Sequence, residues 1–157
     1  MPALPLEGNP DDLRPVRTHA AEITRPGTRE HIPALLAWLD RTAADAGLPD
    51  DLRFSFHLAA EEACANVITH GYTGEPGPLT LRFESDPGRV ALSVHDEAPV
   101  FDPACTPPPP LDADAETRPV GGLGWHLIRS VMDEVRHEPG PHGGNRLTLV
   151  KYLLPNP

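Results

Sequence analysis

The sequence predicts an α/β sandwich in which helices lie against a mostly antiparallel sheet. Three observations predict it. Two stretches, Ile32 to Ala43 and Leu52 to Val67, repeat apolar residues at helical spacing. Leu79 to Ser85 and Arg89 to His95 flank Asp86-Pro87-Gly88, a turn signature that makes them a hairpin. Asn145 to Leu154, NRLTLVKYLL, reads as a strong terminal strand.

The 157 residues suit one domain with a core of its own. Thirteen Lys+Arg against 23 Asp+Glu give a net charge of -10, which argues against a nucleic-acid partner. No apolar run reaches the length of a membrane span, and the N-terminus lacks the plan of a signal peptide. Cys64 and Cys105 make neither a disulfide framework nor a metal site, and Cys64 reads as a small core residue rather than a nucleophile. A cytoplasmic, reduced setting is expected. The 21 prolines gather at the two ends and at Pro107 to Pro110, which leaves room for an ordinary core between them.

Taken in order, residues 1 to 15 are expected to be a flexible segment, and residues 16 to 154 a single domain. Val16 to Thr24 can form a strand. Pro26-Gly27-Thr28 breaks the chain, Thr28 is a candidate N-cap, and Ile32, Leu35, Leu36, Leu39 and Ala43 form the core stripe of a first helix that stops at Gly47. The second helix starts near Pro49-Asp50-Asp51, with acids favourably placed in its first turn, and ends at His70-Gly71. After the hairpin, Asp96 to Gly124 loses all periodicity; so long a loop in a compact domain is functional or disordered. Trp125 to Val135 reads as a third helix.

Chemistry concentrates in three places. Glu62 and Asn66 are one turn apart on one side of the second helix, with Ala59, Ala63 and Val67 beside them. A carboxylate and an amide so placed suit a site where one accepts a proton and the other holds a hydrated metal, although most such pairs are solvated helix surface. Asp96 comes directly off a strand end, where a carboxylate can accept a hydrogen bond from an exocyclic amino group; a turn-forming Asp is the commoner case. Gly121-Gly122-Leu123-Gly124 stands just before a helix, where bare backbone and unpaired N–H groups can approach an anion. It is neither a Walker loop nor a dinucleotide fingerprint, and alone it is weak.

The three boxes EACANVITHGY, DEAPVFDP and GGLGWHLIRSVMDEV, in that order, resemble the GHKL ATPase/kinase superfamily. More narrowly, the chain resembles the bacterial anti-sigma-factor serine/threonine kinases of the RsbW and SpoIIAB type, over roughly residues 28 to 153. The resemblance implies three main helices on one face of the sheet, with ATP or ADP between the helices and a lid at about residues 97 to 121. It implies Glu62 as catalytic base, Asn66 as ligand of Mg²⁺, and Asp96 as the adenine-recognising aspartate. Gly122, Leu123 and Gly124 would line the triphosphate with their backbone, and Arg118 resembles a lid arginine that reaches the phosphates. His70 and Gly71 would shape the helix end, and His126 reads as structural or surface. One residue departs from the pattern: Ala98 stands where the middle box carries glycine, so that its methyl would crowd the adenine or restrict a backbone angle.

The implied function is phosphorylation of a serine or threonine on an anti-sigma-factor antagonist, coupled to sequestration of a sigma factor; the resemblance also suggests a homodimer. Two other classes stand beside it. One is a nucleotide-binding regulatory module without kinase turnover, for which Ala98 is the best argument. The other is a simple ATP hydrolase.

Overall fold

The computed structural model describes residues 15–100 and 122–153. All but the last residue of the expected N-terminal segment, most of the lid with Arg118 and Gly121, and the last residue of the terminal strand lie outside them.

The first helix, α1 (Ile32–Asp45), buries Leu35, Leu36, Leu39, Thr42 and Ala43, the spacing of one helical face. It starts later than the Thr28 reading implies. Thr28 opens a 3₁₀ turn, Arg29–His31, and its hydroxyl shares a 2.6 Å hydrogen bond with His31 Nδ1 instead of capping a backbone N–H. The helix stops at Gly47, whose φ of 87° lies in the left-handed region. Helix α2 (Asp50–Asn66) carries Asp50 and Asp51 in its first turn and buries Phe56, Ala59, Ala60, Ala63 and Cys64. It continues into a single π turn, Val67–Gly71, closed by Tyr72 N–H to Val67 O at 2.9 Å.

Five antiparallel strands form one sheet in the order β1-β2-β3-β5-β4. They are β1 (His19–Pro26), β2 (Pro78–Asp86), β3 (Arg89–Asp96), β4 (Glu134–Pro139) and β5 (Asn145–Tyr152). The β2–β3 turn is fixed by Gly88 N–H donating to Asp86 Oδ1 at 2.7 Å. Leu79, Leu81, Phe83, Val90, Leu92, Val94, Leu147 and Leu149 alternate onto one face. The helices cover that face, so the expectation of helices on one side of an antiparallel sheet holds. Burying a side chain the size of Phe56 or Phe83 completely contributes roughly 1.5–3 kcal/mol.

Two expected elements are displaced. The first strand begins at His19 rather than Val16, because the preceding segment is held elsewhere: Arg17 N–H donates to Ala46 O at 2.8 Å and Ser85 Oγ to Arg17 O at 2.6 Å. Val16 is core all the same. The third helix, α3 (Gly122–Val131), ends before Val135, and β4 follows at once. Asp133 makes the switch, with its N–H bonded to Val150 O at 3.0 Å and its Oδ2 accepting Tyr152 N–H at 2.8 Å. Strand β4 escaped the sequence reading because it is a charged edge, with Arg136 on Glu134 and Glu138 on Arg146. No helix among the described residues is long and apolar enough to cross a membrane.

Candidate active site

Glu62 and Asn66 are half-buried on the last turns of α2. The first turn of α3 is set directly against them. A methyl in place of the Gly124 hydrogen would stand 2.7 Å from Glu62 Oε2 and 3.6 Å from both Asn66 Oδ1 and Nδ2. A methyl at 124 would therefore push the Glu62 carboxylate from its place, and the bare backbone of Gly124 lets that carboxylate rest against the first turn of α3. Asn66 Nδ2 is buried and finds no hydrogen-bond partner among the described residues. A buried amide with an unmet polar atom is costly unless something outside the protein pairs with it. The structure thus brings Glu62, Asn66 and the Gly122–Leu123–Gly124 start of α3 to one place.

Asp96 closes the C-terminal end of β3 and is 9% exposed. Its Oδ1 accepts two hydrogen bonds, from Ala98 N–H and from Asn145 Nδ2, both at 2.9 Å. Ala98 is buried, and its backbone lies outside the left-handed region, where no non-glycine residue is found among those described. The departure from glycine therefore carries no backbone strain, and the restricted-angle expectation is corrected. The methyl is instead close to Gly71, at the end of the π turn.

Two residues that the sequence reading passed over hold these parts in register. Tyr72 accepts Glu97 N–H at 2.7 Å and donates to Pro78 O at 2.6 Å, which ties the end of α2 to both strands of the hairpin. Burial, with the neighbouring Asp96 and Glu97 charges, raises its pKa, while the bond from Glu97 N–H lowers it. Asn145 opens β5 opposite Asp96. Its only signal in the sequence is a polar residue heading an apolar strand after two glycines.

Other candidates fall outside the site. His126 and His70 are exposed. Cys64 is buried, and burial pushes its thiol up to about 12, which removes it as a nucleophile at neutral pH. His57 pairs with Asp40 at 2.9 Å and approaches Glu61 at 4.0 Å, an arrangement on the surface of α1 and α2.

The oxygen-rich pair fits a hydrated Mg²⁺ held by one or two protein groups and by phosphate, since this ion retains water and rarely takes an all-protein cage. Among the described residues no cluster of three or more His, Cys, Asp or Glu could make such a cage.

Residues 25–151 match the histidine kinase-like ATPase domain family. The chain is 31% identical over 121 residues to the serine/threonine-protein kinase BtrW of Bordetella bronchiseptica, covering 76% of this chain and 84% of that protein. It is 30% identical over 141 residues to the serine-protein kinase RsbW of Bacillus subtilis, covering 84% of each. The RsbU and RsbW domains of a Mycobacterium tuberculosis protein share its fold, with a TM-score of 0.62 at 20% identity over 88% of this chain and 34% of that one.

Proposed function

The chain belongs to the histidine kinase-like ATPase domain family, and on that premise we propose that it is an ATP-dependent serine/threonine protein kinase and anti-sigma regulatory factor. Its substrate is an anti-sigma-factor antagonist, its second partner a sigma factor, and it acts in the cytoplasm, as a homodimer. The observation that carries the reading is Gly124. Its missing side chain lets the anion-attracting start of α3 sit against Glu62 and Asn66. The two relatives named as serine or serine/threonine kinases support the choice of reaction.

In this reading Asp96 accepts the adenine amino group, with its carboxylate already oriented by Ala98 N–H and Asn145. Gly122, Leu123 and Gly124 offer backbone N–H groups to the phosphates, and Arg118 adds a cation. Asn66 would hold Mg²⁺, with Glu62 beside it. The ion, when bound, neutralises charge on the phosphate oxygens. Glu62 accepts the proton of the attacking hydroxyl as the new O–P bond forms to the γ-phosphorus; the bond to the bridging oxygen breaks and ADP leaves. Such a transfer depends mainly on positioning and electrostatics, which these few groups supply.

The test is to incubate the full chain with Mg²⁺ and γ-labelled ATP beside an antagonist protein carrying a conformationally accessible serine. Label on the serine supports the kinase. Free phosphate without labelled protein favours a simple hydrolase, and nucleotide binding without either favours a regulatory module.

A further inference from the structure

Behind Asp96 the structure holds a hydrogen-bonded chain that crosses three strands. Asn145 Nδ2 donates to Asp96 Oδ1 at 2.9 Å and also faces Pro99 O at 3.1 Å and Ala98 O at 3.4 Å. With the amide nitrogen turned to these oxygens, Asn145 Oδ1 faces the other way, where it meets His137 Nε2 at 2.9 Å. An amide oxygen can only accept, so His137 must carry its proton on Nε2. The network therefore fixes the orientation of the amide and the tautomer of the ring together.

The backbone is shaped to bring these groups into contact. Asn145 is the cross-strand partner of Asp96 on one side and of Pro139 on the other, and His137 is the diagonal neighbour on the same face. Just before it, Gly144 has a φ of 75°, and a methyl there would fall 1.9 Å from Asp96 O. No residue but glycine allows β5 to start so close to the end of β3. Both donors to Asp96 converge on Oδ1, and among the described residues none reaches Oδ2.

We propose that Asn145, oriented by His137, is the positioning residue that makes Asp96 select adenine. By holding Oδ1, it leaves Oδ2 as the acceptor for the exocyclic amino group. The carboxylate then cannot turn away from guanine, which presents an oxygen acceptor where adenine presents an amino donor. This inference rests on the reading of Asp96 as the adenine contact.

The test is the affinity of the full chain for ATP and for GTP, measured by calorimetry beside thermal melting. Asn145→Leu removes the donor at similar size, and Asn145→Ala removes it with a smaller side chain, which guards against a misfit in the first. Each is expected to narrow the ATP-over-GTP preference by about tenfold, the scale of one lost hydrogen bond to a charged group, through weaker ATP binding and a freed carboxylate that no longer excludes GTP. His137→Gln keeps a donor towards Asn145 and should retain the wild-type preference; His137→Leu should narrow it by roughly threefold, the scale of a neutral hydrogen bond. A folded Asn145→Ala or Asn145→Leu with the wild-type preference overturns the inference and leaves the adenine site standing. Wild-type protein that binds ATP no better than GTP overturns the Asp96 reading, and the inference with it.

Discussion

Gly71 and Ala98 are in such close contact that a methyl on Gly71 would stand 2.9 Å from Ala98 Cβ. Gly71 has no left-handed φ, and its other neighbour, Val67 Cγ1, would be at an ordinary 3.8 Å. Glycine is thus required at 71 by the methyl at 98. Ala98 is buried and packs against the end of the π turn, two residues beyond Asp96.

The pair should therefore be coupled. Gly71→Ala alone forces two methyls together and should cost about 1–3 kcal/mol, as overpacking does. Ala98→Gly alone should cost about 1 kcal/mol, from the lost methyl contacts and the looser unfolded chain, and should leave ADP affinity unchanged. The double variant should recover most of the overpacking, giving a coupling energy above about 1 kcal/mol in denaturant titrations. Additive single effects would show that the contact is not what constrains residue 71.

At the other end of the site, Gly124→Ala places a methyl 2.7 Å from Glu62 Oε2. The far end of a glutamate can swing away, so the fold should survive with a melting temperature within a few degrees. The carboxylate would leave its position, and a shift of about 1 Å at a reacting group can lower a rate by roughly 10²-fold. Normal transfer by a folded Gly124→Ala protein would mean that the approach of α3 to Glu62 is incidental.

Much of this arrangement was legible in the sequence. The helical stripes, the Asp-Pro-Gly hairpin and the apolar terminal strand are local patterns, and each appears within a few residues of its expected place. Glu62 and Asn66 share a helix face by periodicity alone. The edge strand β4 was not legible: its charged residues are satisfied by cross-strand partners such as Arg146 and Glu138, which no local pattern reveals. Asn145 and His137 escaped for the same reason, because their meaning depends on which strands become neighbours. The contact between residues 71 and 98 is likewise invisible until the π turn and the end of β3 meet.

Burial of Cys64 predicts an alkaline weakness. Its thiol is pushed up from 9.0 to about 12 in the folded protein, so between those values the unfolded chain loses a proton that the folded chain keeps. The contribution is fully present below pH 9 and is lost as pH rises towards 12, at up to about 1.4 kcal/mol per pH unit. Cys64→Ala should flatten that part of the stability profile in urea titrations at pH 8 to 10.5. An unchanged slope would assign the alkaline loss to other groups, Tyr72 first among them, since its pKa is also raised.

Asp96→Asn tests recognition of the base. The new side chain can keep its carbonyl oxygen where Ala98 N–H and Asn145 Nδ2 converge, which turns its own amino group to the Oδ2 position. A donor then faces the donor on adenine, and affinity for ADP should fall by about 1–3 kcal/mol. Calorimetry showing undiminished affinity would remove Asp96 from the site.

The roles proposed for Glu62 and Asn66 separate binding from chemistry on α2. Glu62→Gln keeps the size and the seat beside Gly124 but removes the basic carboxylate. It should bind Mg-ATP nearly as well as the wild type and lose transfer to the protein substrate by roughly 10²–10⁴-fold, the range for a general base. Asn66→Ala should damage both, because it removes the amide oxygen proposed to hold Mg²⁺. Glu61 is the internal control: it is exposed and directed towards His57, so Glu61→Gln should behave as wild type in both assays. The measurements are nucleotide titration and a partner-phosphorylation assay on all three variants. Transfer at the wild-type rate by Glu62→Gln would exclude the general-base role. Lost nucleotide binding in that variant would instead make Glu62 part of the metal or phosphate site.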